Sequence, residues 1–506
     1  MRNSPANALA RASRGADPNT VPGEHSRPLA SGAPTYTPIK QGQARSARRL
    51  RRCPASGSVC ASSRTALYSE LDETAIRSGQ RAMTNPTVDR ETLVARHAET
   101  RVREALADTR IVAVVGPRQS GKTTLARHIA AAEGHAYITL DDDQFRRFAE
   151  SDPIGFMRGH RSLVIDEIQR APGLILALKK AVDENPRAGD PQPGRFLITG
   201  SVDLFGGSIS PDSLAGRVET IELLPFSQAE IAGAGPSRFL DRAFAGDFPA
   251  LAITGTADGL IDRVLAGGFA PALSRASPAR RAVWLRAYAR SLAERDVSDI
   301  ATVGKRNEMA RLIDHAAASA GQLLNMSSLG SRLGVDSKTV DRWLVLLEHM
   351  FVIRRVRAWH RGGLKRLVKT PRLQFLDSGL LAAILRMGHK EIANRRQNLG
   401  PLLECFVHAE IVKAATLSEE PPMVAHYRDK DKIQVDLVLE RAGGAIVGIK
   451  VEAGATARPD QFRGLVRLRD AVGDRFVCGI LLHDGDRIQR AGSRMFAMPV
   501  KMLWEA

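Results

Sequence analysis

Cysteine is scarce in this chain. Its four cysteines, at 53, 60, 405 and 478, include one close pair with no second pair to match, so neither a disulfide framework nor a zinc site is readable. A reducing, cytoplasmic setting is the expectation. Aromatic residues make up only 5% against 43% hydrophobic overall, so the layers should be aliphatic α/β or helical rather than a stacked β-sandwich. No run of about 18 uncharged apolar residues occurs, so no membrane-spanning helix is expected. Acidic residues are outnumbered: 73 Lys and Arg against 55 Asp and Glu leave a net charge of +18 and a pI near 10.3. That balance favours polyanionic partners. At 506 residues the chain is too long for one core, and two or three domains are expected.

Residues 1–82 lack helical and strand periodicity and are rich in Ser, Ala, Pro, Gly and Arg. They carry 13 basic and 5 acidic residues, so +8 of the charge lies there. Such a segment cannot bury enough apolar surface to offset its ordering entropy, and it has no apolar signal core. It reads as a disordered basic tail or an over-extended start before Met83.

Regular periodicity begins beyond Met83. Helical spacing at Leu93, Val94, His97, Val102 and Ala105 leads into an apolar strand, Ile111 to Val115. The loop Gly116, Pro117, Arg118, Gln119, Ser120, Gly121, Lys122, Thr123, Thr124 then opens a helix, which satisfies GxxxxGK[ST] in its proper context. The two glycines let successive backbone N–H groups face a phosphate, and the helix N-terminus adds partial positive charge. Lys122 is expected to reach the β- and γ-phosphates of ATP, and the Thr123 hydroxyl to ligate Mg2+. A second strand is expected from His135 to Leu140. A third, Ser162 to Ile165, ends in Asp166-Glu167, the Walker B pattern: Asp166 would hold the magnesium and Glu167 would orient the attacking water. A fourth strand, Arg195 to Ile198, should lie between the strands carrying these two motifs, which makes Thr199 or Ser201 the candidate sensor. Arg217, before a last strand from Val218 to Leu224, is the candidate phosphate sensor or finger toward a neighbouring subunit, in an oligomer the sequence leaves open. No guanine-reading NKxD motif occurs, so ATP is favoured.

The blocks GPRQSGKTTLA, LVIDEIQRAP, FLITGS, SLAGRVETIELLPFS, LAGGFAPAL, LAERDVSDI, GQLLNMSSLGSRLGVDSKTVDRWLVLLE and FLDSGLLAAIL, in this order, resemble predicted ATPases of the AAA superfamily. Those bacterial and archaeal proteins carry a C-terminal domain of unknown function. The likeness runs from about residue 90 to about 460. It implies an AAA-like ATP-binding module, a winged-helix segment and a restriction-endonuclease-like end.

The remaining residues can be read by themselves. Ser327 to Leu333, a turn at Gly334-Val335, and a helix capped by Asp336 or Ser337 and running through Glu348 form a helix-turn-helix. Val340, Trp343, Leu344 and Leu347 would face inward, leaving Ser337, Lys338, Asp341 and Arg342 exposed. After a strand from Phe351 to Val356 comes a Gly-Gly loop at 362–363. Eight Lys or Arg and no acid lie between Ile353 and Arg372, a basic wing that could hold DNA phosphates. A protein partner stays open, since Asp341 disfavours DNA. Further on, a helix from Leu402 to Leu417 holds Glu404 and Glu410, one strand holds Asp436 and the next holds Lys450. This is the nuclease layout with Gly448 where the second metal-binding Glu belongs, so nuclease activity is not expected.

The expected fold class is α/β: a parallel P-loop NTPase sheet of the additional-strand type, then a helical and winged-helix domain, then a small restriction-endonuclease-like α/β domain. The expected boundaries are 83–235, 236–390 and 391–506. The expected activity is Mg-dependent ATP hydrolysis coupled to a nucleic acid or protein partner, with a low-turnover nucleotide switch as the alternative.

Overall fold

The structure, a computed structural model, describes residues 94–158, 160–183, 193–204, 214–248, 259–296, 306–360 and 369–505. The basic tail at 1–82, Leu93 and the Gly-Gly loop at 362–363 lie outside the described residues.

The first layer grows from an all-aliphatic strand. β1 (Ile111–Val115) is buried at every residue. Its side chains alternate, so Ile111, Ala113 and Val115 enter one apolar core and Val112 and Val114 enter another. Helix α1 (Ala98–Asp108) buries Ala98, Val102, Ala105 and Leu106 on one stripe against the second of these cores. After β1 come α2 (Lys122–Glu133), β2 (Ala136–Thr139), α3 (Asp143–Ser151), β3 (Leu163–Asp166), α4 (Leu174–Asp183), β4 (Phe196–Gly200) and β5 (Val218–Glu222). The five strands are parallel in the order β2-β3-β4-β1-β5. β4 thus separates the strand before the glycine loop from the strand ending in Asp166, as the sequence predicts. All five strands end on the edge where that loop and the two acids lie, the edge at which open α/β sheets bind ligands.

The middle of the chain is helical: α5 (Phe239–Ala245), α6 (Leu260–Ala266), α7 (Pro278–Ser291) and α8 (Arg306–Ala318). The helix-turn-helix forms as the spacing predicts. α9 (Met326–Leu333) ends at Gly334, whose left-handed φ of 70° costs little only for glycine. α10 (Ser337–His349) starts at Asp336, whose carboxylate accepts the amides of Lys338 and Thr339 at 2.9 Å each. Val340, Trp343, Leu344 and Leu347 are buried. A two-stranded antiparallel ribbon comes next, β6 (Ile353–Val356) with β7 (Arg372–Phe375).

Helices α11 (Ser378–Ile384) and α12 (His389–Asn394) lead to α13 (Leu399–Leu417), which is apolar nearly all round and correspondingly buried. Then come β8 (Met423–Arg428), β9 (Gln434–Glu440), β10 (Ile446–Glu452), α14 (Arg463–Val472), β11 (Phe476–His483), β12 (Gln489–Gly492) and β13 (Met495–Pro499). The sheet order is β12-β13-β11-β10-β9-β8, with β8, β9 and β10 antiparallel and β10 parallel to β11 across α14. One helix, three antiparallel strands, a crossover helix and a parallel strand match the expected nuclease-like layout. α13 also ties this end to the first sheet. Glu410 accepts the Gln228 amide at 2.8 Å, and Lys413 donates to the Phe226 carbonyl at 2.9 Å. No described helix is long and apolar enough to cross a membrane.

Candidate functional site

The loop from Gly116 to Thr124 joins β1 to α2 and depends on glycine at both ends. A Cβ on Gly116 would lie 2.2 Å from the Leu223 carbonyl oxygen of the neighbouring strand's exit. Gly121 has φ 95° and Gln119 has φ 67°, so the backbone curls through left-handed conformations before the first helical turn. That turn presents amides with no intrahelical partner. Lys122 is buried, and its ammonium donates to the Gly116 and Pro117 carbonyls at 2.9 and 2.8 Å. Burial pulls its pKa down to about 8, against the opposing pull of Glu167 and Asp166. Ser120 Oγ is buried with no hydrogen-bond partner.

Asp166, at the end of β3, is 2% exposed and surrounded by hydroxyl donors. Thr199 Oγ1 donates to it at 2.6 Å, Tyr137 at 2.8 Å, Thr123 at 3.0 and 3.1 Å, and Thr139 at 3.4 Å. Glu167 follows with φ 59° and ψ 47°, a left-handed conformation unusual for a non-glycine residue and of the kind stored at functional sites. Its amide donates to Thr199 Oγ1 at 3.0 Å. Its carboxylate accepts from Ser201 at 2.7 and 2.9 Å and from Gln169. The sequence-predicted residues Lys122, Thr123, Asp166, Glu167 and Thr199 therefore meet at one place. Thr199 is fully buried and braces the two acids.

Arg217 does not join them. It precedes β5 and donates to Asp183 at 2.7 and 2.9 Å. The adjacent Val218 pairs with Ile111, the first residue of β1, so Arg217 sits at the opposite end of the sheet from the phosphate loop. Arg217 is therefore out of reach of a phosphate in its own subunit's loop. Block order along the chain does not carry strand direction, and strand direction moves this arginine a full strand length away.

Other contributors belong to no motif. Arg96 bonds to the Ser120 carbonyl, to the Leu224 carbonyl at 2.7 Å and to Glu230 at 3.0 Å, and lies over the Phe226 ring. The Tyr288 hydroxyl, 170 residues along the chain, donates to the Arg118 carbonyl at 3.0 Å. Tyr137 and Thr139 were legible only as two polar positions on an otherwise apolar strand.

The basic wing is less free than its composition suggests. Arg354 pairs with Glu222 at 2.7 Å, Arg355 with Glu348 and Asp341, and buried Arg372 with Asp436 at 3.2 Å. Three of the eight cations are thus committed within the fold. Asp341, read as unfavourable to DNA, is itself neutralised by Arg355.

At the nuclease-like end, Asp436 accepts from Lys450 at 2.9 Å and from the Val451 amide at 2.9 Å. Burial opposes its ionisation, but Lys450 and Arg372 more than offset that and hold its carboxyl below the usual range. Glu404 on α13 lies 3.7 Å from Arg372, and burial followed by Asp436 raises its pKa to about 8. Glu452 lies 3.7 Å from Lys450. At Gly448 a Cβ would meet Leu465 and Leu468 at 2.9 Å each, so leucines fill the place of the second ligand. No cluster of three or more metal-ligating groups occurs among the described residues.

Residues 108–232 match the family described as an AAA domain. Residues 257–391 match a domain of unknown function, DUF8612, and 399–503 match another, DUF4143. Over 352 residues the chain is 29% identical to the uncharacterized protein Rv2008c of Mycobacterium tuberculosis, covering 69% of this chain and 71% of that one. The same figures hold for the uncharacterized protein Mb2031c of Mycobacterium bovis. The Walker-type ATPase PABY2304 of Pyrococcus abyssi is similar in structure with a TM-score of 0.34 and 16% identity, covering 60% of this chain and 99% of that one. Its AAA domain and its DUF4143 region follow one another in the order the sequence blocks imply, and in this the chain is similar to AAA-type P-loop ATPases that carry a C-terminal domain of unknown function.

Proposed function

We propose that the chain binds ATP with magnesium at the 116–124 loop and hydrolyses it, in a cycle coupled to a partner held by the modules at 236–390 and 391–506. One observation carries this reading: the hydrogen-bond donors on buried Asp166, Thr123 among them, are neutral hydroxyls, and no ion pair satisfies it among the described residues, which suits it to a metal cation. The donor set fits the groups. Ser120 Oγ lacks a partner, and Lys122 Nζ is held only by loop carbonyls that a phosphate oxygen can replace. Bound magnesium supplies charge neutralisation at the phosphates. Thr123 and Asp166 would hold that ion, and Lys122 would take the β- and γ-phosphate oxygens. Glu167 would polarise the attacking water once Ser201 and Gln169 share or release its carboxylate. Thr199 fixes Asp166 and the Glu167 amide relative to each other.

The engagement of Glu167 by two donors favours a second reading, a nucleotide-dependent switch with negligible turnover. In either cycle the proposed partner is DNA contacted through phosphates, on exposed Lys338 and Arg342 of α10 with Arg357 and Lys369 beside the ribbon. The nuclease-like end serves packing or binding rather than cleavage.

Steady-state ATP hydrolysis by the full chain, with and without duplex DNA, separates these readings. Turnover stimulated by DNA and lost in Glu167→Gln supports the motor. A negligible rate with intact ATP binding would sink hydrolysis and leave the switch. A rate indifferent to DNA would move the partner assignment to protein.

A further inference from the structure

Helices α6, α7, α11 and α12 enclose a half-open cavity of about 860 Å³, lined by none of the motif residues above and wholly within the 257–391 domain of unknown function. Its volume falls in the range of sites for small organic ligands, about 300–1,000 Å³. Much of the lining is apolar, including Leu265, Leu285, Ala382 and Met387. Four arginines also line it: half-buried Arg281 and exposed Arg286 and Arg290 of α7, and exposed Arg386 just beyond α11. No ion pair joins any of the four to a carboxylate among the described residues, and Arg281 Nε is shielded from solvent without a hydrogen-bond partner. The two acids of the lining are already engaged. Asp262 pairs with His389 at 2.9 Å, and Glu391 accepts the Gly388 amide at 2.9 Å. The four arginines outnumber the two acids of the lining, and planar, weakly hydrated guanidinium forks match carboxylate or phosphate oxygens.

The same helix reaches the nucleotide loop. Tyr288 lies two residues from both Arg286 and Arg290, and its hydroxyl donates to the Arg118 carbonyl at 3.0 Å. Its ring stacks on Trp284, with centroids 5.3 Å apart and planes 8° from parallel, and packs on Phe269 at 4.8 Å. One hydrogen bond thus links α7, which lines the cavity, to the phosphate loop.

We propose that this cavity binds a small organic anion, an apolar body bearing a carboxylate or phosphate group, and that α7 couples its occupancy to nucleotide affinity. Only the coupling rests on ATP binding at the loop; anion binding in the cavity does not. Binding to the full chain can be followed by calorimetry with 1-anilinonaphthalene-8-sulfonate as probe, beside its uncharged relative N-phenyl-1-naphthylamine. The sulfonate should bind at one site and at least about tenfold more tightly than the neutral probe, as charge-assisted contacts require. The Arg286→Glu/Arg290→Glu double variant, and independently Arg386→Glu, should erase that preference while leaving the neutral probe's affinity unchanged. Displacement by aryl carboxylates and aryl phosphates then tells the two anion classes apart. Equal affinity for the two probes, or a preference that survives both variants, would overturn the cavity. Displacement of the probe by a short DNA duplex would give the arginines to nucleic acid instead and overturn the small-ligand assignment. For the coupling, a saturating probe should shift ATP affinity at least about fivefold in the wild type. That shift should vanish in Tyr288→Phe, which keeps the ring and the probe site. An ATP affinity indifferent to probe in the wild type would overturn the coupling, and a Lys122→Ala chain that still binds the probe would show the cavity to be independent of the loop.

Discussion

Two carboxylate sites in this molecule share their parts and differ in what surrounds them. Each has a buried Asp on a strand, a second acid close by and a lysine within reach. Asp166 is held by hydroxyls from Thr123, Tyr137, Thr139 and Thr199. Asp436 is held by the ammonium of Lys450 and the guanidinium of Arg372. Hydroxyls fix a carboxylate in place and leave its charge unspent, whereas cations fix it by cancelling the charge. The first arrangement can take a further cation; the second has met that demand from within the chain. The leucines over Gly448 complete the difference, because they remove the room as well as the ligand.

The largest effect that would sharpen this comparison is at Glu167. Its Gln variant should lose roughly 10²–10⁴ in ATP turnover while binding ATP as before, as removal of a water-activating group predicts. Turnover at the wild-type rate would return Glu167 to a structural role. Next is Arg372→Ala, which leaves buried Asp436 short of a partner and should destabilise the fold by about 3–5 kcal/mol in urea unfolding. A variant as stable as wild type would mean that the second site is not held by its cations.

Lys122→Ala should weaken ATP roughly 10- to 100-fold by calorimetry, the value of a charge-assisted phosphate contact. The same lysine predicts a pH dependence. Its pKa is depressed to about 8, and phosphate should raise it again, so ATP binding should take up a proton above about pH 8. Affinity should then fall by up to about tenfold per pH unit as pH rises further, and a flat profile from pH 8 to 9.5 would contradict the buried ammonium.

The smallest effect concerns Glu404, whose folded pKa of about 8 lies above its ordinary 4.5. Its contribution to stability is full below pH 4.5 and is lost as pH rises through 8. Glu404→Gln should flatten that part of the stability profile between pH 5 and 8. If the profile keeps its slope, the site is more hydrated than its burial implies.

The glycine loop, the acid pair closing β3 and the strand order around them were legible because each depends on local rules. A loop curling around phosphate needs glycine at fixed offsets, and an apolar strand announces its own burial. The helix-turn-helix was legible for the same reason, through Gly334 and Asp336. The place of Arg217 and the pairing of three cations of the basic wing were not legible, because composition says which charges exist and nothing about what they meet. Arg354, Arg355 and Arg372 each find an acid between 7 and 132 residues away in the chain. Arg96 and Tyr288 gave no signal at all, since their bonds to the loop join residues remote in sequence.

By itself, then, the sequence determined the kind of chemistry: a phosphate loop, an acid pair at a strand end and a parallel sheet to hold them, all written in short-range spacing. The tertiary structure decided which charges remain available, because a charge is neutralised by whatever folding brings within a few ångströms. It left Asp166 hydrogen-bonded by neutral hydroxyls, paired Asp436 with Lys450 and Arg372, and left four arginines of the α7 cavity without a carboxylate partner among the described residues.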